Sequence, residues 1–148
     1  DARGSFWHEG AKVEHAGMAA ALRSWITRHP DDGRYILTNG YDWTYFTVDD
    51  APFFVQSLRF DPEAIVLVLS DGGAEPWEPE TTRTGHDGGL YTVVKRATRG
   101  GPYEAKFTRH AQSSLARVLI DESGDEAGGR ESAITVRVAG RARRVGSL

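Results

Sequence analysis

Residues 34–46 read RYILTNGYDWTYF, and this stretch decides the fold. Runs rich in Tyr, Ile, Trp, Phe and Thr flank Asn39-Gly40, the dipeptide that two-residue hairpin turns favour, so strands are predicted over 34–38 and 41–48. Such a turn would set Thr38 opposite Tyr41, Ile36 opposite Trp43 and Arg34 opposite Tyr45 on one face, with Tyr35, Leu37 and Phe46 on the other. The first face mixes aromatic rings with polar tips. It suits a ligand or partner surface, and it suits equally a cover for a preceding helix.

That helix is predicted over 16–28, where Met18, Ala21, Leu22, Trp25 and Ile26 recur at helical spacing and Trp25, at the centre of the stripe, is the expected core anchor. His29-Pro30 ends it, and Pro30-Asp31-Asp32-Gly33 turns the chain into the hairpin. Downstream, strands are predicted at about 53–60, 65–69, 90–96 and 103–108. The wholly apolar run Ile65 to Leu69 should be central, whereas Tyr103, Ala105 and Phe107 alternate with Glu104, Lys106 and Thr108 as in a sheet wetted on one face. A second helix at about 110–120 carries Ala111, Leu115, Val118 and Leu119 on one side; a charged loop over 121–131 and a last strand at about 133–139 follow. Residues 141–148, with Arg141, Arg143 and Arg144, read as a flexible basic tail dispensable for folding. The order is that of an α+β fold with mostly antiparallel strands and two helices, in a single domain over 1–140. Two weakly repeated strand–helix–strand units, one near each end, are a further reading, with 1–60 and 61–140 as lobes.

Composition narrows function mainly by exclusion. The 148 residues hold no cysteine, which removes thiolate nucleophiles, disulfide scaffolds and iron–sulfur sites. A net charge of −3 with both signs interspersed argues against nucleic acid as a partner. The longest apolar run is far too short for a bilayer, so no membrane partner and a cytoplasmic location are expected. His8 and His15 are seven residues apart across a glycine, which matches no common ligand spacing, and no metal or cofactor is expected. Nucleophile-elbow, phosphate-loop and dinucleotide-binding patterns are missing, and no catalytic residue is nominated.

The segment 71–89 is long for a loop and places Trp77 among Glu75, Pro76, Glu78 and Pro79, then Arg83 and His86. Trp77 either pins this loop to the body or meets a ligand. The candidate ligand-binding set is therefore Arg34, Tyr41, Trp43 and Tyr45 on the hairpin with Trp77, Arg83 and His86 on the loop, lining a groove between them. The leading expectation is a non-enzymatic ligand-binding or regulatory module, with a small molecule or another protein as partner. A small hydrolase-like or isomerase-like enzyme using His8 or His86 with a carboxylate is the alternative, a structural subunit the second, and a homodimer is compatible with each.

Four segments carry a family resemblance: Gly4-Ser5-Phe6-Trp7-His8-Glu9-Gly10, the helix with Leu22 and Ile26, Asp32-Gly33-Arg34-Tyr35, and Val48-Asp49-Asp50-Ala51-Pro52-Phe53. Together they resemble the bacterial domain-of-unknown-function family 1285, whose members read a Gly-x-Trp-Phe-x-x-Gly segment, a Leu-rich helix, an Asp-Gly-x-Tyr turn and a Val-x-Asp-Ala-Pro-Phe strand. The resemblance covers residues 4–55 well and 103–119 loosely. It implies a two-lobed α+β fold with repeated strand–helix units, suggests a signalling or ligand-binding role, and supplies no catalytic residues.

Overall fold

The computed structural model describes residues 1–121 and 134–148; most of the charged loop expected over 121–131 lies outside the described residues. The chain opens with a hairpin of β1 (Trp7–His8) and β2 (Ala11–Lys12), turned by left-handed Glu9 and Gly10. Helix α1 (Ala16–Ser24) follows, its first turn capped by His15, whose Nδ1 accepts from the Met18 amide at 3.2 Å. Then β3 (Ile26–Arg28), β4 (Tyr35–Thr38) and β5 (Trp43–Tyr45) form a three-stranded antiparallel sheet in chain order. A meander of β6 (Phe53–Phe60), β7 (Ile65–Leu69) and β8 (Ala74–Pro76) comes next, then a 3-10 turn at Pro79–Thr81 and β9 (Arg83–Thr84). The closing part repeats the opening order: a hairpin of β10 (Leu90–Val94) and β11 (Tyr103–Phe107), helix α2 (Arg109–Ala116) capped by Thr108, and a three-stranded antiparallel sheet of β12 (Ile120–Asp121), β13 (Ile134–Val138) and β14 (Arg141–Arg144). The fold is α+β with mostly antiparallel strands, and a hairpin–helix–meander unit stands at each end.

Between the units, six strands form the main sheet in the order β8-β7-β6-β11-β10-β9. Every pairing is antiparallel except β6 with β11, which run parallel with Ala105 beside Phe53 and Phe107 beside Val55. The core is built on this seam: Phe53, Val55, Leu67, Leu69, Val94, Ala105 and Phe107 from the sheet meet Ala111 and Leu115 of α2, with Val136 and Val145 closing it. The apolar run of β7 is buried along most of its length, as its composition requires, although it lies one strand from the edge and the centre belongs to β6 and β11. β11 alternates as its pattern predicts, with Tyr103, Ala105 and Phe107 buried.

Three expectations about the first helix and the hairpin after it are corrected. Helix α1 stops at Ser24, whose hydroxyl turns back to the Ala21 carbonyl at 2.7 Å, and β-branched Ile26 and Thr27 go instead into β3 opposite Leu37 and Ile36. Trp25 therefore caps the helix and is 36% exposed rather than anchoring a core. The hairpin turn has four residues: Asn39 Oδ1 accepts from the Tyr41 and Asp42 amides at 2.9 and 2.8 Å, which pulls Tyr41 and Asp42 out of the strand. Pairing moves by two, to Thr38 with Trp43 and Ile36 with Tyr45, so the residues that stay in the strands keep their expected faces but change partners.

Residues 141–148 are no free tail. β14 pairs with β13 across the left-handed Ala139-Gly140 turn, Arg143 makes a two-pronged pair with Glu80 at 2.8 and 2.7 Å, and Val145 is buried. Gly146 passes so close to Glu80 and Thr82 that an added Cβ would collide with their carbonyl oxygens. Backbone hydrogen bonds, the Arg143–Glu80 pair and one apolar side chain hold the segment, and none of these leaves a periodic pattern. Truncation after Gly140 is accordingly expected to cost at least about 2 kcal/mol, since it opens a cavity over Val136. Trp25→Ala should cost about 1 kcal/mol rather than the roughly 3–5 of a buried tryptophan. Thermal melts of the two variants against the parent protein check both values.

Candidate functional site

Cross-strand partners Ile26, Leu37 and Thr44 share one face of the β3–β5 sheet, and Phe46 continues it. This face looks into an open cleft of about 1010 Å³. Met18 and Leu22 of α1 form a second wall, Val13 and the β1–β2 hairpin a third, and Val48 and Phe54 the remainder. The segment before β1 is held down on Phe54: Gly4 has φ +82 and an added Cβ would stand 2.9 Å from that ring, so only glycine fits. Asp1 orders the same segment by accepting from the Arg3 and Ser5 amides at 3.0 Å and from the Trp7 indole at 2.8 Å. Apolar walls with polar groups at the margin, His8, Glu9, Arg23, Asp49 and Ser70 among them, give the cleft the make-up of a small-molecule site.

The opposite face of the sheet carries an aromatic cluster. His29 lies 4.8 Å from Trp43 and 5.8 Å from Tyr45 between ring centres, Trp43 meets Tyr45 edge-on at 5.1 Å, and the Arg34 guanidinium sits 3.8 Å above the Tyr45 ring. The Tyr45 hydroxyl donates to Asp32 at 2.6 Å. That bond, with the Arg34 amide behind it, holds the Asp32 carboxyl below the usual range and pushes the Tyr45 phenol up. Trp43 remains 51% exposed.

A third cluster ties the 85–89 turn to the main sheet. Lys106 Nζ bridges Asp50 at 2.8 Å and Asp87 at 2.7 Å, while the Tyr91 hydroxyl donates to Asp50. The ammonium beside Asp87 lowers that carboxyl to about 2, and the two carboxylates raise the lysine further above its ordinary value. Lys106, Asp50 and Tyr91 satisfy one another, which marks a clamp rather than a vacant site.

The seven sequence candidates thus separate. Arg34, Trp43 and Tyr45 gather in the aromatic cluster, while Tyr41 stands at the turn tip, 94% exposed. Trp77 is buried and donates its indole N–H to Thr82 Oγ1 at 2.9 Å, so it pins the loop. Arg83 is held by Glu104 at 2.8 and 2.7 Å over the Tyr91 ring, and His86 lies on the exposed 85–89 turn. Of the seven, only Tyr45 borders the large cleft, and none of Trp77, Arg83 and His86 reaches it. The reason is topological, because β8 and β9 are the two outer strands of the six, and residues between them cross from one edge of the main sheet to the other. Met18, Leu22, Leu37, Val48 and Phe54 were the residues to find. Their only signal is apolar periodicity, which reads as core.

Fold and cleft define a mixed α+β domain made of two hairpin–helix–meander units around a six-stranded sheet. This is the fold of DUF1285 family proteins. One such protein from Shewanella baltica superposes with a TM-score of 0.58 at 17% identity, over 77% of this chain and 85% of that one. Another from Silicibacter pomeroyi gives 0.57 at 15% identity, over 97% and 76%. No family model matches the chain, and no curated protein matches it in sequence.

Two outcomes follow from the clusters. Because Trp43 is half-exposed on an edge strand, Trp43→Ala is expected to lower stability by about 1 kcal/mol, measured by urea denaturation. Asp87, with its carboxyl depressed to about 2 in the fold, contributes stability that is present above its ordinary value of 3.8 and is lost as pH falls through about 2. The stability gap between the parent protein and Asp87→Asn should therefore narrow across that window in an acid titration of the unfolding midpoint.

Proposed function

We propose that the protein is a non-enzymatic ligand-binding or regulatory module of the bacterial cytoplasm, and that the cleft between α1, the β1–β2 hairpin and the β3–β5 sheet takes a small molecule with an apolar body. The observation that carries this reading is the cleft itself. Its volume of about 1010 Å³ stands at the upper end of the range of small-molecule sites, and its walls are apolar side chains left uncovered by the fold. Among the described residues neither His8 nor His86 hydrogen-bonds a carboxylate, so nothing in the hydrogen bonding favours the acid–base enzyme. No helix of the described residues is long and apolar enough to cross a membrane, and both structural neighbours come from bacteria.

The regulatory part of the reading follows from how loosely one wall is held. Only Ala19 of α1 is buried, and Met18 is 56% exposed. A ligand that covers Met18 and Leu22 would add apolar contact that the empty fold lacks, and would stabilise the helix relative to its surroundings. Ligand occupancy would thereby be reported in the order of the first unit.

Mass spectrometry of small molecules released from the native protein tests the proposal. An apolar compound is expected from the parent protein and none from Met18→Asp, which places a charge on the wall at an exposed position that tolerates it. Equal recovery from both proteins would remove the cleft from consideration.

A further inference from the structure

Three arginines are half-buried among the described residues: Arg23, Arg28 and Arg143. Arg28 donates to the Gly100 and Pro102 carbonyls and stacks on Tyr103, and Arg143 is paired with Glu80. Arg23 has no hydrogen bond, ion pair or ring contact among the described residues. It lies in the last turn of α1, next to Leu22, and borders the cleft. A partly desolvated guanidinium with no partner is an unfavourable arrangement, and it becomes favourable when an anion supplies the acceptors. Among the described residues, every other arginine without a side-chain partner is exposed, where water serves instead.

The remaining charges at the cleft locate the anion. Asp1 is occupied by the Trp7 indole and two backbone amides, Glu9 belongs to the β1–β2 turn, and Asp49 is exposed on the β5–β6 connection. None of the three pairs with Arg23. They would repel an anionic group elsewhere on the margin, so Arg23 is the point where one is welcome.

Resting on the cleft reading above, we infer that the ligand is an amphipathic anion: an apolar chain or ring system lying against Met18, Leu22 and Leu37, with a carboxylate on the Arg23 guanidinium. Arginine suits this role because its planar fork matches a carboxylate with two parallel hydrogen bonds. Apolar contact supplies affinity, and the Arg23 cation supplies orientation and selects against neutral or cationic analogues.

Titration calorimetry of the full chain with octanoate, octan-1-ol and octyltrimethylammonium is the test. Octanoate is expected to bind the parent protein about tenfold or more tighter than octanol, as a charge-assisted hydrogen bond requires. Arg23→Gln should bring octanoate down to the level of octanol while leaving octanol unchanged, and Arg23→Lys should retain most of the preference. Met18→Asp should weaken both compounds together. Octanol binding as tightly as octanoate, with Arg23→Gln indifferent, would overturn the anion and leave the apolar cleft standing. Preference for octyltrimethylammonium would also overturn it and assign the margin to the acids. No binding of any probe would end both readings.

Discussion

Parallel pairing of β6 with β11 is the constraint on which the rest of the structure depends. Two parallel neighbours cannot be joined by a tight turn; the chain must leave one edge and return on the other side. Here β7 and β8 build outward on one side of β6, residues 77–82 cross to the far edge, and β9 and β10 step back in so that β11 can lie beside β6. Trp77 and the 3-10 turn mark that crossing, which is why a loop that seemed available for a ligand is pinned, with its indole satisfied by Thr82. The C-terminal residues then lie along the same crossing, with Val145 buried and Ser147 bridged to Arg83.

The same seam makes the two hairpin–helix–meander units unequal. In the second, the β10–β11 hairpin is absorbed into the main sheet, and α2 has β6 and β11 to pack upon, so Ala111 and Leu115 are fully buried. In the first, the β1–β2 hairpin pairs only with itself, and α1 buries only Ala19. One helix is covered and the other is not. The cleft is the space that this inequality leaves, walled by apolar side chains of α1 and of the β3–β5 sheet that the fold does not cover.

Arg28 keeps the first unit in place while leaving its cleft side open. Its guanidinium donates to the Gly100 and Pro102 carbonyls at 2.9 and 2.6 Å and lies 5.3 Å from the Tyr35 ring centre and 4.7 Å from that of Tyr103. Tyr103 in turn meets Phe53 edge-on at 5.2 Å, so the bridge reaches the main core. Gly100 is needed for this approach: with φ +82, an added Cβ would stand 2.7 Å from the Tyr103 hydroxyl and 2.9 Å from Thr27 Oγ1. Charge-assisted donors and stacked rings replace apolar burial at this junction.

Local pattern by itself determined the α+β class, the existence of both helices, four of the six strands of the main sheet and the two faces of the β4–β5 hairpin, because period-2 and period-3.6 alternation is written in adjacent residues and survives even a two-residue change of register, whereas β8 and β9 are too short to carry a period and lie in a segment that reads as loop. It also placed Arg34, Trp43 and Tyr45 together, since neighbouring strands set them side by side. Three-dimensional packing alone decided where α1 ends, because the strand that captures Ile26 and Thr27 comes from residues eight or more positions further on. It alone decided that Trp77 is buried, that residues 141–148 dock, and that Met18, Leu22 and Leu37 border a cleft instead of a core. The physical reason is the same each time: an apolar stripe states that a surface avoids water, but which segment arrives to cover it is settled by long-range pairing and chain path, and neither has a periodicity to read.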